Sequence, residues 1–232
     1  MSDRFFVESP IELAATAELR DDEARHLTKV MRAKIGDALL LFDGGGCEFA
    51  ARILRVEKSR VVCEILQRTE IERESPARLT LAVALPKGDR QRFLIEKLVE
   101  LGVLRLIPLR TQRGVAEAGP SVLERLRRQV IEASKQCGRN RLMEIAAPLD
   151  MESLAATAPD SQSRLLAHPG GEPWLITATP LQREIIAAIG PEGGFTPEEC
   201  AIAQAAGWKT ISLGPRILRV ETAALALAAL CG

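Results

Sequence analysis

No tyrosine occurs in the 232 residues, and the other aromatics are six Phe and two Trp. Stacking of successive bases on an aromatic platform is therefore not an expected mode of binding nucleic acid. Only His26 and His168 supply imidazole, and five cysteines (Cys47, Cys63, Cys137, Cys200, Cys231) form an odd set with no Cys-x-x-Cys pair. That set suits a structural zinc site poorly; reduced, packed thiols and no metal are expected. No apolar run reaches membrane-spanning length, and no basic-then-apolar stretch opens the chain, so a cytoplasmic protein without a membrane partner is expected. Internal repeats and low-complexity tracts are also missing. The glycine-rich stretches have neither the Lys-Ser/Thr of a phosphate-binding P-loop nor the spacing of a dinucleotide fingerprint, which disfavours phosphate cradling.

The chain does have apolar content and localised charge. At 47% hydrophobic, it can form one large domain or two modest ones, each with a core. The formal net charge is zero but unevenly spread. Residues 1–75 carry 12 Lys/Arg against 15 Asp/Glu, residues 76–150 carry 14 against 8, and residues 151–232 carry 5 against 8. A basic middle segment in a neutral protein points to a localised anionic partner, although a solvated arginine-rich surface would look the same on charge alone.

Residues 1–70 read as short strands joined by tight turns, which suggests a small β-barrel. Asp21 or Asp22 can cap a short helix through Leu27, Val30 and Met31. Strands are expected over 38–42, 47–56 and 61–66, with a turn at Asp43-Gly44-Gly45-Gly46. The charged stretch before Pro76 marks a linker at 71–78. From residue 79 the pattern becomes α/β. Apolar strands are expected at 79–85, 103–109, 165–167, 185–189 and 210–213. Asp89 is expected to cap a helix running to Leu101, and a basic helix over 121–137 carries Arg125, Arg127, Arg128 and Lys135. Strands alternating with helices imply a largely parallel sheet over 79–232.

Two glycine-rich turns stand between an apolar run and a helix. The first is Ile189-Gly190-Pro191-Glu192-Gly193-Gly194-Phe195, followed by Thr196-Pro197-Glu198-Glu199, a strong helix start with a capping box. The second is Leu213-Gly214-Pro215-Arg216-Ile217-Leu218-Arg219-Val220-Glu221-Thr222, which runs into an Ala/Leu helix. Together they would form a backbone-lined cleft at the edge of a sheet, where open α/β sheets bind ligands. Glu221 and Thr222 could equally serve as helix caps, and His168 at a strand end could be structural.

Several segments carry a resemblance beyond these turns. They are Lys87-Gly88-Asp89-Arg90, Glu100-Leu101-Gly102-Val103, Gln136-Cys137-Gly138-Arg139-Asn140-Arg141 and His168-Pro169. At the front, His26-Leu27 with Val30-Met31-Arg32, Gly36-Asp37 and Phe42-Asp43-Gly44 belong to the same pattern. Nearly the whole chain resembles the bacterial 16S ribosomal RNA (uracil-N3)-methyltransferase family of the SPOUT class. Gln112 and Val220 depart from that family's usual residues.

The resemblance implies an α/β fold: a PUA-like RNA-binding β-barrel over 1–70 and a SPOUT methyltransferase domain with a deep trefoil knot over 79–232. It also implies a homodimer, the small ribosomal subunit as partner, and S-adenosylmethionine as cofactor. The implied cofactor residues are Leu166, His168, Pro169, Ile189, Gly190, Pro191, Glu192, Gly193, Gly194, Leu213, Gly214, Ile217, Leu218 and Thr222. Methylation of a uracil imide requires loss of the N3 proton and stabilisation of charge on O2 and O4. Arg219 or Arg216 is expected to stabilise that charge, and Glu221 or Glu192 to assist deprotonation. Arg32, Lys87, Arg90, Arg92, Arg113, Arg139 and Arg141 are expected to hold rRNA phosphates. Two other classes fit parts of the pattern: a non-catalytic ribosome-binding factor, and a nucleotide-binding α/β enzyme.

Overall fold

Alternating burial along a few short strands builds the N-terminal part. The computed structural model describes residues 4–115, 118–157, 162–174 and 183–231. The chain divides into one unit of Met1–Glu74 with Ser134–Leu142 and another of Ser75–Ala133 with Met143–Gly232. Among the described residues, no helix is long and apolar enough to cross a membrane.

The first unit contains β1 (Arg4–Phe6), β2 (Thr16–Arg20), α1 (Asp21–Arg25), β3 (Ala38–Phe42), β4 (Cys47–Val56) and β5 (Arg60–Glu70). The strand order is β1-β3-β4-β5-β2. The β1–β3 pairing is parallel and the others are antiparallel. Phe49, Ala51 and Ile53 of β4 point inward and are almost fully buried, while the alternate Arg52 and Leu54 are exposed. Two register shifts along β4 bend the sheet into a half-barrel whose edges are β1 and β2. Its core includes Phe5, Leu19, Leu41, Val61 and Cys63.

The short helix differs from expectation at its start. Asp21 is its first residue at φ 47°, Arg20 is the N-cap, and no side chain caps it. The helix then widens into one π turn, His26–Val30.

A polar seam holds Ser134–Leu142 to this unit. Arg4 pairs with Glu48, and Arg73 bonds both Glu48 (2.6 Å) and the Gly138 carbonyl (2.7 Å). Arg4 also donates to Asn140 Oδ1 at 2.7 Å. Arg139, expected to meet RNA, is 4% exposed and donates through Nε to Glu74 Oε1 at 2.8 Å. Its guanidinium is thus buried and paired inside the unit, unlike an arginine presented to solvent.

The second unit begins with β6 (Arg78–Val83), α2 (Asp89–Glu100), β7 (Arg105–Arg110) and α3 (Pro120–Cys137), whose last turn belongs with the first unit. After β8 (Glu144–Ile145), β9 (Leu149–Asp150) and α4 (Met151–Thr157) come β10 (Ser163–Pro173), β11 (Glu184–Ile189), α5 (Pro197–Ala205), β12 (Lys209–Ser212) and α6 (Val220–Cys231). The strand order is β12-β10-β11-β6-β7-β8, with β9 also on β7. Every pairing in this sheet is parallel.

Beyond their first residues, the central strands β6 and β11 are apolar except for the buried Thr80, because helices cover both faces. On one face Ala82, Leu166, Ile186 and Ala188 pack with Leu154 of α4 and Ala203 of α5. On the other, α6 lies against β6, β11 and α2. Its buried Ala223, Ala224 and Ala228 allow close approach. Asp89 is the first residue of α2 and Gly88, at φ 63°, is the N-cap, so the capping role expected of Asp89 is not taken.

Candidate functional site

The strands β10, β11 and β12 run parallel, and the bulge within β10 and the segments leaving β11 and β12 enclose one cleft. It is lined by Ala167, His168 and Pro169 at the bulge within β10, by Ile189 at the end of β11 with Gly190 to Glu192, Gly194 and Phe195 beyond it, and by Ser212 at the end of β12 with Leu213, Gly214 and Arg216 to Leu218 beyond it. Val220 and Ala223 of α6 complete the wall. This is the crevice at strand carboxyl ends where open α/β sheets take ligands.

Each wall has a local cause. In β10 the register with β12 slips, so that Ala167 and Glu172 both face Ile211 and the residues between them loop out. A Cβ on Gly171 would stand 2.6 Å from the Ile211 carbonyl carbon, so only glycine allows this return. His168 Nδ1 accepts from the Gly170 N–H at 3.0 Å and stabilises the bulge. After β11, a Cβ on Gly190 would meet the Phe195 ring at 3.1 Å; the ring is buried beneath the loop and gives it an apolar floor. Gly194 donates to the Pro191 carbonyl at 2.8 Å and closes the turn. After β12, Ser212 Oγ donates to the Gly214 carbonyl at 3.1 Å.

The start of α5 fixes the far end of the first loop. Thr196 Oγ1 accepts from Glu199 N–H at 3.3 Å, and Glu199 Oε2 accepts from Thr196 N–H at 2.8 Å. This is the capping box expected from the sequence. The other carboxylate oxygen of Glu199 accepts from Gln112 N–H at 2.9 Å, tying in the segment after β7.

Charge gathers on one side of the cleft. Arg90 Nη1 donates to Glu192 Oε1 at 2.7 Å and lies 3.8 Å from Glu221 Oε2. The Arg90 hydrogen bond, then Glu192's own backbone N–H, hold the Glu192 carboxyl below the usual glutamate range; the charges of Arg90 and Arg219 act in the same direction. The pair is thus intact around neutrality and opens only as pH falls through that depressed value. Glu221 is 7% exposed, and its Oε2 has no hydrogen-bond partner. Arg113 Nη1 donates to the Gly193 carbonyl at 2.8 Å.

Most residues expected at a cofactor site meet here. Leu166 instead is fully buried in the core, while Gly193, Arg219, Glu221 and the exposed Thr222 stand beside the cleft without lining it. Ala167 and Val220, which lie between expected cofactor residues, line it too, as do Phe195, Ser212 and Ala223, which were not expected there. Their one signal was adjacency to the glycine turns. Of the arginines and lysine expected at RNA, Lys87, Arg92 and Arg113 are exposed in the second unit, and Arg32 and Arg141 in the first. Among the described residues, no cluster of His, Cys, Asp or Glu could hold a metal ion. Burial pushes the Cys63 and Cys231 thiols up to about 11.

A family model described as an RNA methyltransferase domain matches residues 73–232, and one described as an RNA methyltransferase PUA domain matches 19–66. Ribosomal RNA small subunit methyltransferase E of Synechocystis is 33% identical over 91% of this chain and 71% of that protein. The Bacillus subtilis protein of the same name is 29% identical over 96% of this chain and 93% of its own length. The crystal structure of the Neisseria gonorrhoeae ribosomal RNA small subunit methyltransferase E, bound to S-adenosyl methionine, superimposes with a TM-score of 0.91 at 33% identity, covering 99% of this chain and 96% of that one. With the RNA methyltransferase model spanning the whole second unit's sequence and these relatives matching both units, the chain belongs to the RNA methyltransferase family of the ribosomal RNA small subunit methyltransferases E.

Proposed function

We propose that this protein transfers a methyl group from S-adenosylmethionine to N3 of one uridine in the decoding region of 16S rRNA, acting on the small ribosomal subunit. The observation that carries the reading is the cleft formed by the bulge of β10 and the segments after β11 and β12, in a chain whose Neisseria relative binds S-adenosyl methionine. The cleft's chemistry fits such a ligand. Backbone groups at Ala167–Pro169 and around Gly190 and Gly214 offer the donors and acceptors that an adenine edge requires. Ile189, Ile217, Leu218 and Val220 supply apolar surface, and the Glu192 carboxylate is a counter-charge for a sulfonium. When bound, S-adenosylmethionine supplies an electrophilic methyl group and leaves as a neutral thioether.

The chain's own residues have the remaining work. The uracil N3 proton must pass to a base before or as N3 is alkylated. Glu221 is the better candidate: it is buried and has an oxygen without a hydrogen-bond partner, whereas Glu192 is tied up with Arg90. Arg216 at the cleft and Arg219 beside it stabilise the charge that develops on O2 and O4. Lys87, Arg92, Arg32 and Arg141 hold rRNA phosphates.

The reading extends to the domains and the assembly. Residues 1–70 act as a PUA-like RNA-binding domain, 71–78 as linker and 79–232 as a catalytic domain with a trefoil knot. The protein works as a cytoplasmic homodimer, with the alanine-rich α6 suited to close helix contact.

Titration with S-adenosylhomocysteine tests the cofactor assignment. Saturable one-site binding to the wild type, lost in a Gly190→Val variant that would push into Phe195, is the expected result. Wild type that does not bind would exclude methyl transfer from this cleft.

A further inference from the structure

The loop 190–194 is held from outside by two arginines that the basic segment had assigned to RNA. Arg90, in the first turn of α2, bonds Glu192 at 2.7 Å. The same nitrogen lies 3.8 Å from Glu221, so one guanidinium spans the loop and the first turn of α6. Arg113, between β7 and α3, bonds the Gly193 carbonyl at 2.8 Å. Its aliphatic stem runs along Gly193: a Cβ there would sit 3.4 Å from Arg113 Cβ and Cδ. Two consecutive loop residues are thus gripped by side chains 102 and 80 positions away in sequence. Neither arginine lines the cleft.

We propose that Arg90 and Arg113 are positioning residues that clamp the cofactor loop and thereby couple cofactor occupancy to RNA binding. The proposal rests on the cofactor and RNA reading above. Exposed ion pairs of this kind contribute little to global stability, so their value lies in local geometry. Each arginine uses one nitrogen for the loop, while a guanidinium carries five N–H donors in a fixed fork. The Arg90 side chain is 41% exposed, and Arg113 is exposed. A phosphate reaching the outer edge of either fork meets a guanidinium whose orientation the loop sets. Gly190, Pro191, Glu192 and Gly194 of that loop line the cleft, so a bound cofactor would touch the same segment that the arginines hold. By linkage, a filled cleft that holds the arginines in place strengthens RNA binding, and bound RNA strengthens cofactor binding by the same factor.

The experiment follows fluorescently labelled protein binding to purified small ribosomal subunits that lack the modification, with and without saturating S-adenosylhomocysteine. In the wild type the cofactor product should tighten binding about tenfold, within the usual range for coupled sites. In an Arg90→Ala/Arg113→Ala protein the gain should fall below about twofold. Glu192→Gln, which keeps both arginines, should lose part of it. Arg92→Ala, an exposed neighbour outside the clamp, should weaken binding but keep the full gain. A wild type indifferent to S-adenosylhomocysteine, or full coupling in the double or the Glu192→Gln variant, would overturn the proposal. Direct calorimetry separates this from failure of the underlying reading: a wild type that does not bind S-adenosylhomocysteine removes the cofactor assignment and the clamp together.

Discussion

Arg216 borders the cleft, whereas Arg219 stands just before α6, with its carbonyl accepting from Ala223 N–H at 2.9 Å. The Arg219 charge contributes to lowering the Glu192 carboxyl, so its field reaches the 190–194 loop. Arg219→Ala should reduce kcat by about 100-fold, the scale of losing one donor to a developing oxyanion, with S-adenosylhomocysteine affinity nearly unchanged. Steady-state kinetics with parallel calorimetry would check this, and an unchanged kcat would remove Arg219 from the chemistry. At this scale the sequence was informative where glycine and ionisable residues mark a turn, as at Gly190, Glu192 and Gly214. It was uninformative where a residue's role depends on a distant partner. Nothing local distinguishes Arg139 from Arg141, yet Arg139 is buried against Glu74, 65 positions away, while Arg141 is exposed. Likewise nothing local reveals the ties of Arg90 to Glu192 and of Arg113 to Gly193.

The start of α5 joins local signal to long-range consequence. Thr196, Pro197 and Glu199 announced the helix because a capping box is a short-range pattern. The bond from Gln112 N–H to Glu199 was not legible, because it links elements 87 positions apart. Glu199→Ala removes both bonds from a 5% exposed carboxylate and strands the Thr196 N–H in a buried site. It should lower stability by about 2 kcal/mol, read from the denaturant midpoint. A midpoint equal to wild type would mean the box is not holding the loop. Other elements escaped sequence reading for similar reasons. The π turn after α1 needs an extra residue that periodicity over ten positions cannot resolve. The continuation of β10 to Pro173 depends on Gly171 passing against the Ile211 backbone.

At the scale of the molecule, alternation of apolar strands with helices was enough to expect a parallel sheet, because helices on both faces demand strands apolar throughout. The order β12-β10-β11-β6-β7-β8 was not available from that argument. Strand order depends on how connections cross, and periodicity carries no information about crossings. The grouping of Ser134–Leu142 with the N-terminal half-barrel was equally hidden, since it arises from the seam of Arg4, Glu48, Arg73 and Glu74. The strand order matters because it brings the bulge of β10 and the ends of β11 and β12 around one cleft. The most direct test of what that cleft does is methyl transfer from labelled S-adenosylmethionine to small ribosomal subunits lacking this modification, with the product nucleoside identified. N3-methyluridine at a single position is the expected product. No transferred label, or label on a ribose or another base, would contradict it.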